Sequence, residues 1–184
     1  IKALPSGARF PFIVYFTCLG VGFIFIELSL MQRFTLVLGS PIYSISVTLA
    51  SLLVFSGIGS YLLGGLQAMV KPERRLVSFL SLIVGIYLGA LIFAGTELLN
   101  FIVGMPFPIR VLICSAILGP IGIFLGMFFP SGLMLVGKKY PISVAWAWGI
   151  NSGFTVLGST LCIIIAQFYG FSIVLLTALG AYLV

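Results

Sequence analysis

The 184 residues include nine Lys or Arg and three Glu, with no Asp and no His, and 61% of them are apolar. A soluble domain carries roughly 25% charged residues, so a chain with only 7% cannot cover a surface that faces water. We therefore place the chain in a lipid bilayer.

The composition also excludes several kinds of chemistry. Without His, the chain offers no imidazole ligand for haem, zinc or copper. Without Asp, it has no aspartyl nucleophile and no two-metal carboxylate site. We predict no catalytic site, metal or cofactor in this segment. Cys18, Cys114 and Cys162 lie in separate apolar runs and are predicted to be packing residues, not a disulfide framework.

Six apolar segments follow one another along the chain. Ser40 is a favourable N-cap and Pro41 a favourable first residue for the second of them. The predicted helices span about 10–32, 41–69, 76–95, 111–136 and 144–168, and a sixth begins at residue 171. Each full segment can cross ~30 Å of hydrocarbon at ~1.5 Å per residue. The apolar runs are continuous, which favours helices over a barrel.

Polar or proline-rich stretches separate these segments. Residues 71–75 and 138–141 hold Lys and Arg and are expected outside the hydrocarbon. Residues 96–110 are predicted to be irregular, because Pro106 and Pro108 cannot continue a regular helix. The predicted fold is a single all-α polytopic bundle over residues 1–184. Its last helix is incomplete, and we expect the chain to be a fragment of a longer polypeptide.

The basic residues indicate how the bundle is oriented. With six crossings, one side would hold seven of them and the other side only two, Arg33 and Arg110. The larger group comprises Lys2, Arg9, Lys71, Arg74, Arg75, Lys138 and Lys139. The positive-inside rule then places the amino end and both basic loops in the cytoplasm. No basic face for nucleic acid is expected.

Small residues at four-residue spacing predict where helix backbones approach each other. Four segments show such spacing, which indicates a tight bundle. The residues are Ser56, Ser60 and Gly64, then Gly85 and Gly89, Gly122 and Gly126, and Gly149 and Gly153.

Glu27 is the one acid within a predicted crossing. It lies roughly 25 Å along the first helix at ~1.5 Å per residue. A carboxylate at membrane depth is costly unless it is paired or protonated. It could serve as a proton or cation site, or as a structural anchor bonded to a neighbouring helix or to Arg110. Arg33 should lie on another face of the helix.

A small, mildly polar stripe follows the fifth helix and should face protein. It comprises Ala147, Asn151, Thr155, Gly158 and Cys162. We predict that the Asn151 amide, or a water molecule, bonds a carbonyl freed by Pro130 or Pro120 in the fourth helix. A substrate contact is the alternative. Glu27 and Asn151 should lie at different depths and form separate sites.

Aromatic residues mark the predicted cytoplasmic end of the fifth helix. Trp146, Trp148 and Tyr140 are typical of an interfacial belt. A cage for a cationic ligand is the alternative interpretation.

Several strings together resemble one protein family. They are GFIFIELSLMQRF at 22–34, LGSPIY at 38–43, SGIGS at 56–60, GMFFPSGL at 126–133 and AWAWGIN at 145–151. In this order they resemble the carboxy-terminal membrane region of bacterial spermidine-synthase-like proteins, also described as fused major-facilitator and spermidine synthase proteins. The matched residues are Glu27, Gln32, Arg33, Pro41, Tyr43, Pro130, Trp146, Trp148, Gly149 and Asn151.

The resemblance implies that this region lies in the bacterial cytoplasmic membrane. It also implies that a soluble synthase-like domain precedes it in the chain. Any aminopropyl transfer would belong to residues outside this sequence. We expect a noncatalytic membrane domain that anchors the synthase-like domain and moves or senses a small cationic or amphipathic molecule. The alternative is a structural or accessory subunit of a larger, energy-transducing membrane assembly. Expected partners are lipid, other membrane subunits or the attached domain.

Overall fold

The computed structural model describes residues 5–69, 73–137 and 140–183, and all regular structure in these ranges is helical. The six helices are α1 (Ser6–Leu38), α2 (Pro41–Met69), α3 (Glu73–Val103), α4 (Phe107–Gly137), α5 (Ser143–Tyr169) and α6 (Phe171–Leu183). Within the described ranges, α1 to α5 each contain a stretch long and apolar enough to cross a membrane, whereas α6 has 13 residues. The predicted all-α polytopic bundle is confirmed.

Two glycines end helices at sharp turns. Gly39 follows α1 with φ of 77°, and its N–H donates to the Thr35 carbonyl at 3.0 Å. Gly170 follows α5 with φ of 80° and donates to the Ala166 carbonyl at 2.9 Å. This half of backbone space is open to glycine at little cost. The next helices therefore begin at residues 41 and 171, as predicted.

The boundary between α3 and α4 differs from the prediction. Residues 96–103 continue α3, so Glu97 and Asn100 are helical and exposed, and the break covers only residues 104–106. Pro108 lies in the first turn of α4, where the missing N–H has no partner to lose. The predicted irregular segment over 96–110 is wrong because the prolines stop α3 later than assumed.

Helix α1 contacts every other helix of the bundle. Its buried side chains line much of its length and include Phe16, Ile26 and Phe34. Helix α2 packs mainly on α4, α3 on α6 and α4, and α5 mainly on α1. Lys2, Lys71, Lys138 and Lys139 lie outside the described residues.

The closest helix crossing joins α2 to α4. A Cβ atom added to Gly59 would collide with the carbonyl of Ile123, and one added to Gly126 would collide with the backbone of Ser56. A Cβ at Gly122 would lie 2.8 Å from the Cβ of Phe55. The small residues thus bring two backbones into direct contact. Of the predicted positions on these helices, Ser56, Gly122 and Gly126 take part, whereas Ser60 and Gly64 are exposed and Gly64 has nothing within 4 Å.

The predicted small-residue pairs on α3 and α5 make few or no close contacts. Gly85 contacts Leu183 of α6, where an added Cβ would lie 3.6 Å from the side chain, but Gly89 has nothing within 4 Å. Gly149 and Gly153 also have nothing within 4 Å and are exposed. The predicted contact at these two positions is wrong, because α5 meets α1 through its opposite face.

Candidate functional site

Glu27 is buried, with 8% of its surface exposed. It lies one turn beyond Ile24, whose side chain meets Gly158, and two turns beyond Gly20, which meets Thr155. Residues at these spacings share one side of a helix, so Glu27 lies on the side of α1 near α5. In the described ranges no hydrogen bond or ion pair reaches its carboxylate.

Arg110 does not pair with Glu27. Its guanidinium donates to the carbonyl of Val37 at 2.7 Å and lies 5.8 Å from the ring centroid of Phe107. Val37 is about 15 Å further along α1 at the ~1.5 Å rise of a helix. Arg110 therefore satisfies a carbonyl in the last turn of α1, where a cation is favoured. The predicted Glu27–Arg110 contact is not formed.

Arg33 joins α1 to two other helices. One guanidinium nitrogen donates to the Leu91 carbonyl of α3 at 3.1 Å, and the other donates to Oγ of Ser172 in α6 at 3.1 Å. It therefore points away from the α5 side that Glu27 occupies, as the spacing predicted. Its role in joining helices was not predicted, because spacing along one helix does not tell which helices are neighbours.

Asn151 and Thr155 lie against α1. A Cβ at Gly20 would collide with the Asn151 carbonyl, so the two backbones touch. The Thr155 hydroxyl donates to that same carbonyl at 2.8 Å and lies 3.4 Å from the Gly20 oxygen. The stripe on α5 faces protein as predicted, but its partner is α1. No hydrogen bond to the Asn151 amide occurs in the described part of the chain.

Two tyrosines, and not Asn151, donate to α4 beside its prolines. The Tyr15 hydroxyl donates to the Phe128 carbonyl at 2.8 Å, near Pro130. The Tyr87 hydroxyl donates to the Ile117 carbonyl at 2.5 Å, near Pro120. A tyrosine within a membrane helix needs a partner for its O–H. The presence of Tyr15 and Tyr87 within predicted membrane helices could therefore have indicated these bonds, which were not predicted.

The remaining matched residues lie at the two ends of the bundle. Trp148 packs against Phe129 with ring centroids 4.5 Å apart, and both tryptophans are exposed, Trp146 at 49% and Trp148 at 55%. Neighbours two apart face different sides of a helix, which suits an interfacial belt better than one aromatic cage. At the other end, Tyr43 packs on Phe107 at 4.9 Å. Gln32, Pro41 and Gly149 are exposed, and Pro130 is half-buried.

A cavity of about 420 Å³ lies among α1, α3, α4 and α6, toward the end of the bundle where α1 begins. Its wall includes Tyr15 and Cys18 of α1, Ser78 and Ser81 of α3 and Phe128 of α4. The last three described residues of α6, Ala181, Tyr182 and Leu183, complete it. It touches neither Glu27 nor Asn151. The predicted polar residues Glu27, Arg110, Asn151 and Thr155 thus form no common site, and the cavity lies elsewhere.

The described residues contain no group of three or more Cys, Asp or Glu side chains placed to hold a metal ion. Searches of protein-family models, curated proteins and solved structures found no match for the chain.

Proposed function

We propose that this chain is a noncatalytic membrane domain of a spermidine-synthase-like protein. It anchors a synthase-like domain to the bacterial cytoplasmic membrane, with its amino end and basic loops in the cytoplasm. Its partners are the bilayer and the attached domain. It needs no cofactor for this role.

This proposal depends on one observation: polar side chains of the membrane helices form hydrogen bonds that join one helix to another. Arg33, Arg110, Tyr15 and Tyr87 each donate to a backbone carbonyl of another helix. Such bonds join helices where lipid supplies no hydrophobic drive for association. A donor committed to a backbone carbonyl is not free to donate to a substrate, and this favours a scaffold over an enzyme.

Anchoring is tested on the native protein in its own membrane. If a synthase-like domain is covalently attached, the intact mass will be far above 19.7 kDa. Deletion of the segment that holds the six helices should then move that domain from the membrane to the soluble fraction. A native mass near 19.7 kDa, or a synthase-like domain that stays in the membrane after the deletion, would contradict the proposal.

The second part of the proposal is that the bundle moves or senses a small cationic or amphipathic molecule. Glu27 supports a cationic substrate, because it is a buried carboxylate with no partner in the described residues. One acid is little for a polycation, and the cavity does not reach it. If Glu27 binds the substrate, Glu27→Gln should abolish spermidine uptake into intact cells, while the same change at the exposed Glu97, Glu97→Gln, leaves it unchanged. Normal uptake in Glu27→Gln excludes a transport role for this residue.

An accessory role in a larger energy-transducing assembly is the alternative that we propose. It is favoured by the outward side of α5, where Gly149 and Gly153 have nothing within 4 Å and Val156 is exposed. Small residues on a lipid-facing surface are suited to close contact with a foreign helix. If the chain is an accessory subunit, cross-linking from Val156→Cys in native membranes should capture a partner helix. If it is only an anchor domain, the same cross-linking should capture only lipid.

A further inference from the structure

The geometry points to a binding site for a single-chain amphipath with a neutral hydroxyl head in the cavity among α1, α3, α4 and α6. Such a ligand would be the molecule sensed under the proposed function. Nothing in the anchoring role requires this cavity.

The size and walls of the cavity favour an apolar chain. Its volume of about 420 Å³ falls in the range of roughly 300–1,000 Å³ found for small-molecule sites. Leu19, Val77, Leu82 and the Phe128 ring supply apolar wall from three different helices. An alkyl chain would pack against these apolar side chains without needing any hydrogen bond from them.

The polar atoms of the wall favour a neutral head. No Lys, Arg or Glu lines the cavity, so neither a cation nor an anion would find a counter-charge there, and burying an unpaired charge is costly. The Ser81 hydroxyl is half-buried and makes no hydrogen bond within the described ranges. The Tyr15 hydroxyl already donates to Phe128 but can still accept. An alcohol, which both donates and accepts, fits this pair.

Cys18 provides a natural reporter of occupancy. It lines the cavity and is half-buried, whereas Cys114 and Cys162 are fully buried. The protein in lipid nanodiscs is alkylated with N-ethylmaleimide, and modification of each cysteine is followed by mass spectrometry. We expect Cys18 to react at least about tenfold faster than the other two, because access controls thiol reactivity.

Three additives then separate the possible ligands. Dodecanol should slow alkylation of Cys18 severalfold, whereas dodecane and spermidine should have little effect. Equal protection by dodecane would overturn recognition of the hydroxyl head, and stronger protection by spermidine would overturn the neutral class. A Cys18 as unreactive as Cys114 in the full native protein would show that protein fills the cavity, and would also overturn the proposal.

Two variants tie protection to the cavity. Ser81→Leu fills it and should remove protection by dodecanol, whereas Ala90→Leu, at an exposed position on the same helix, should keep it. If Ser81→Leu does not fold, Ser81→Ala keeps the volume and should weaken protection about fivefold, as loss of one hydrogen bond does. Unchanged protection in both Ser81 variants would refute the site. Spermidine uptake and membrane attachment are separate readouts, so the binding site and the proposed function can fail independently.

Discussion

Two regions of the bundle are held together in different ways. The crossing of α2 with α4 is made by Gly59, Gly122 and Gly126, which bring backbones into contact without any charged side chain. The junction of α1 with α3 and α6 depends on Arg33, and a cavity lies nearer its other end. In lipid, helices associate by close approach or by hydrogen bonds. The two regions differ in degree: α2 and α4 touch through their backbones and share one serine–serine bond, from Ser51 to Ser115. At the other junction Gly22 lies against the side chains of Ala181 and Tyr182, and Arg33 adds bonds to both neighbouring helices.

The largest effect is expected at the α2–α4 crossing. Gly59→Ala places a methyl group against the Ile123 carbonyl, which cannot move without separating the helices. We expect a loss of about 3 kcal/mol in the free energy of unfolding, at the upper end for overpacking, measured by SDS titration in bicelles. Gly57→Ala is the matched control, since nothing lies within 4 Å of Gly57. Equal stability of the two variants would contradict the packing described for this crossing.

A somewhat smaller effect is expected at the other junction. Arg33→Met keeps the length of the side chain but removes the bonds to Leu91 and Ser172. Hydrogen bonds that involve a charged group are worth about 1.5–3 kcal/mol, so we expect a loss of about 2 kcal/mol in the same titration. Gln32→Met changes an exposed neighbour and should be close to neutral. A neutral Arg33→Met would mean that packing, and not these bonds, joins α1 to α3 and α6.

The bond from Tyr15 to α4 should contribute less. Tyr15→Phe keeps the ring and deletes only the O–H that reaches Phe128. Interhelical hydrogen bonds of this kind average about 0.6–1 kcal/mol, and we expect a loss of that size. Tyr61→Phe is the control, because the Tyr61 side chain is 86% exposed. A loss equal to that of the control would show that the bond from Tyr15 to Phe128 does not stabilise the bundle.

The sequence predicted the number and order of the helices well, because glycine and proline punctuate the chain. Pro41 and Gly170 set boundaries that the structure confirms within a residue. Residues 96–103 were missed, since Glu97 and Asn100 were read as signs of a loop although an exposed helix end accommodates both. A turn is determined by a few adjacent residues and can be predicted from them. The point at which an exposed helix ends is less strongly determined by the local sequence.

The candidate site was harder to predict than the fold. The place of Glu27 within a crossing followed from its position in an apolar run, and the protein-facing stripe on α5 followed from its small residues. The partners of Arg110, Tyr15 and Asn151 did not, because each depends on which helices are neighbours and at what level. Counting Lys and Arg assigns loops to sides of a membrane but leaves the order of helices around the bundle open.

The smallest effect on stability is expected on the outward side of α5. Gly149→Ala meets nothing within 4 Å and should change the free energy of unfolding by less than about 1 kcal/mol, the helix preference of Ala over Gly. Gly158→Ala, on the opposite side, would bring its methyl group to 2.8 Å from the Ile24 side chain and should be destabilising. Native gel electrophoresis of the two variants then separates the proposed functions. An anchor domain keeps its apparent size in Gly149→Ala, whereas a subunit that meets its partner through this side of α5 loses the larger assembly with its own fold intact.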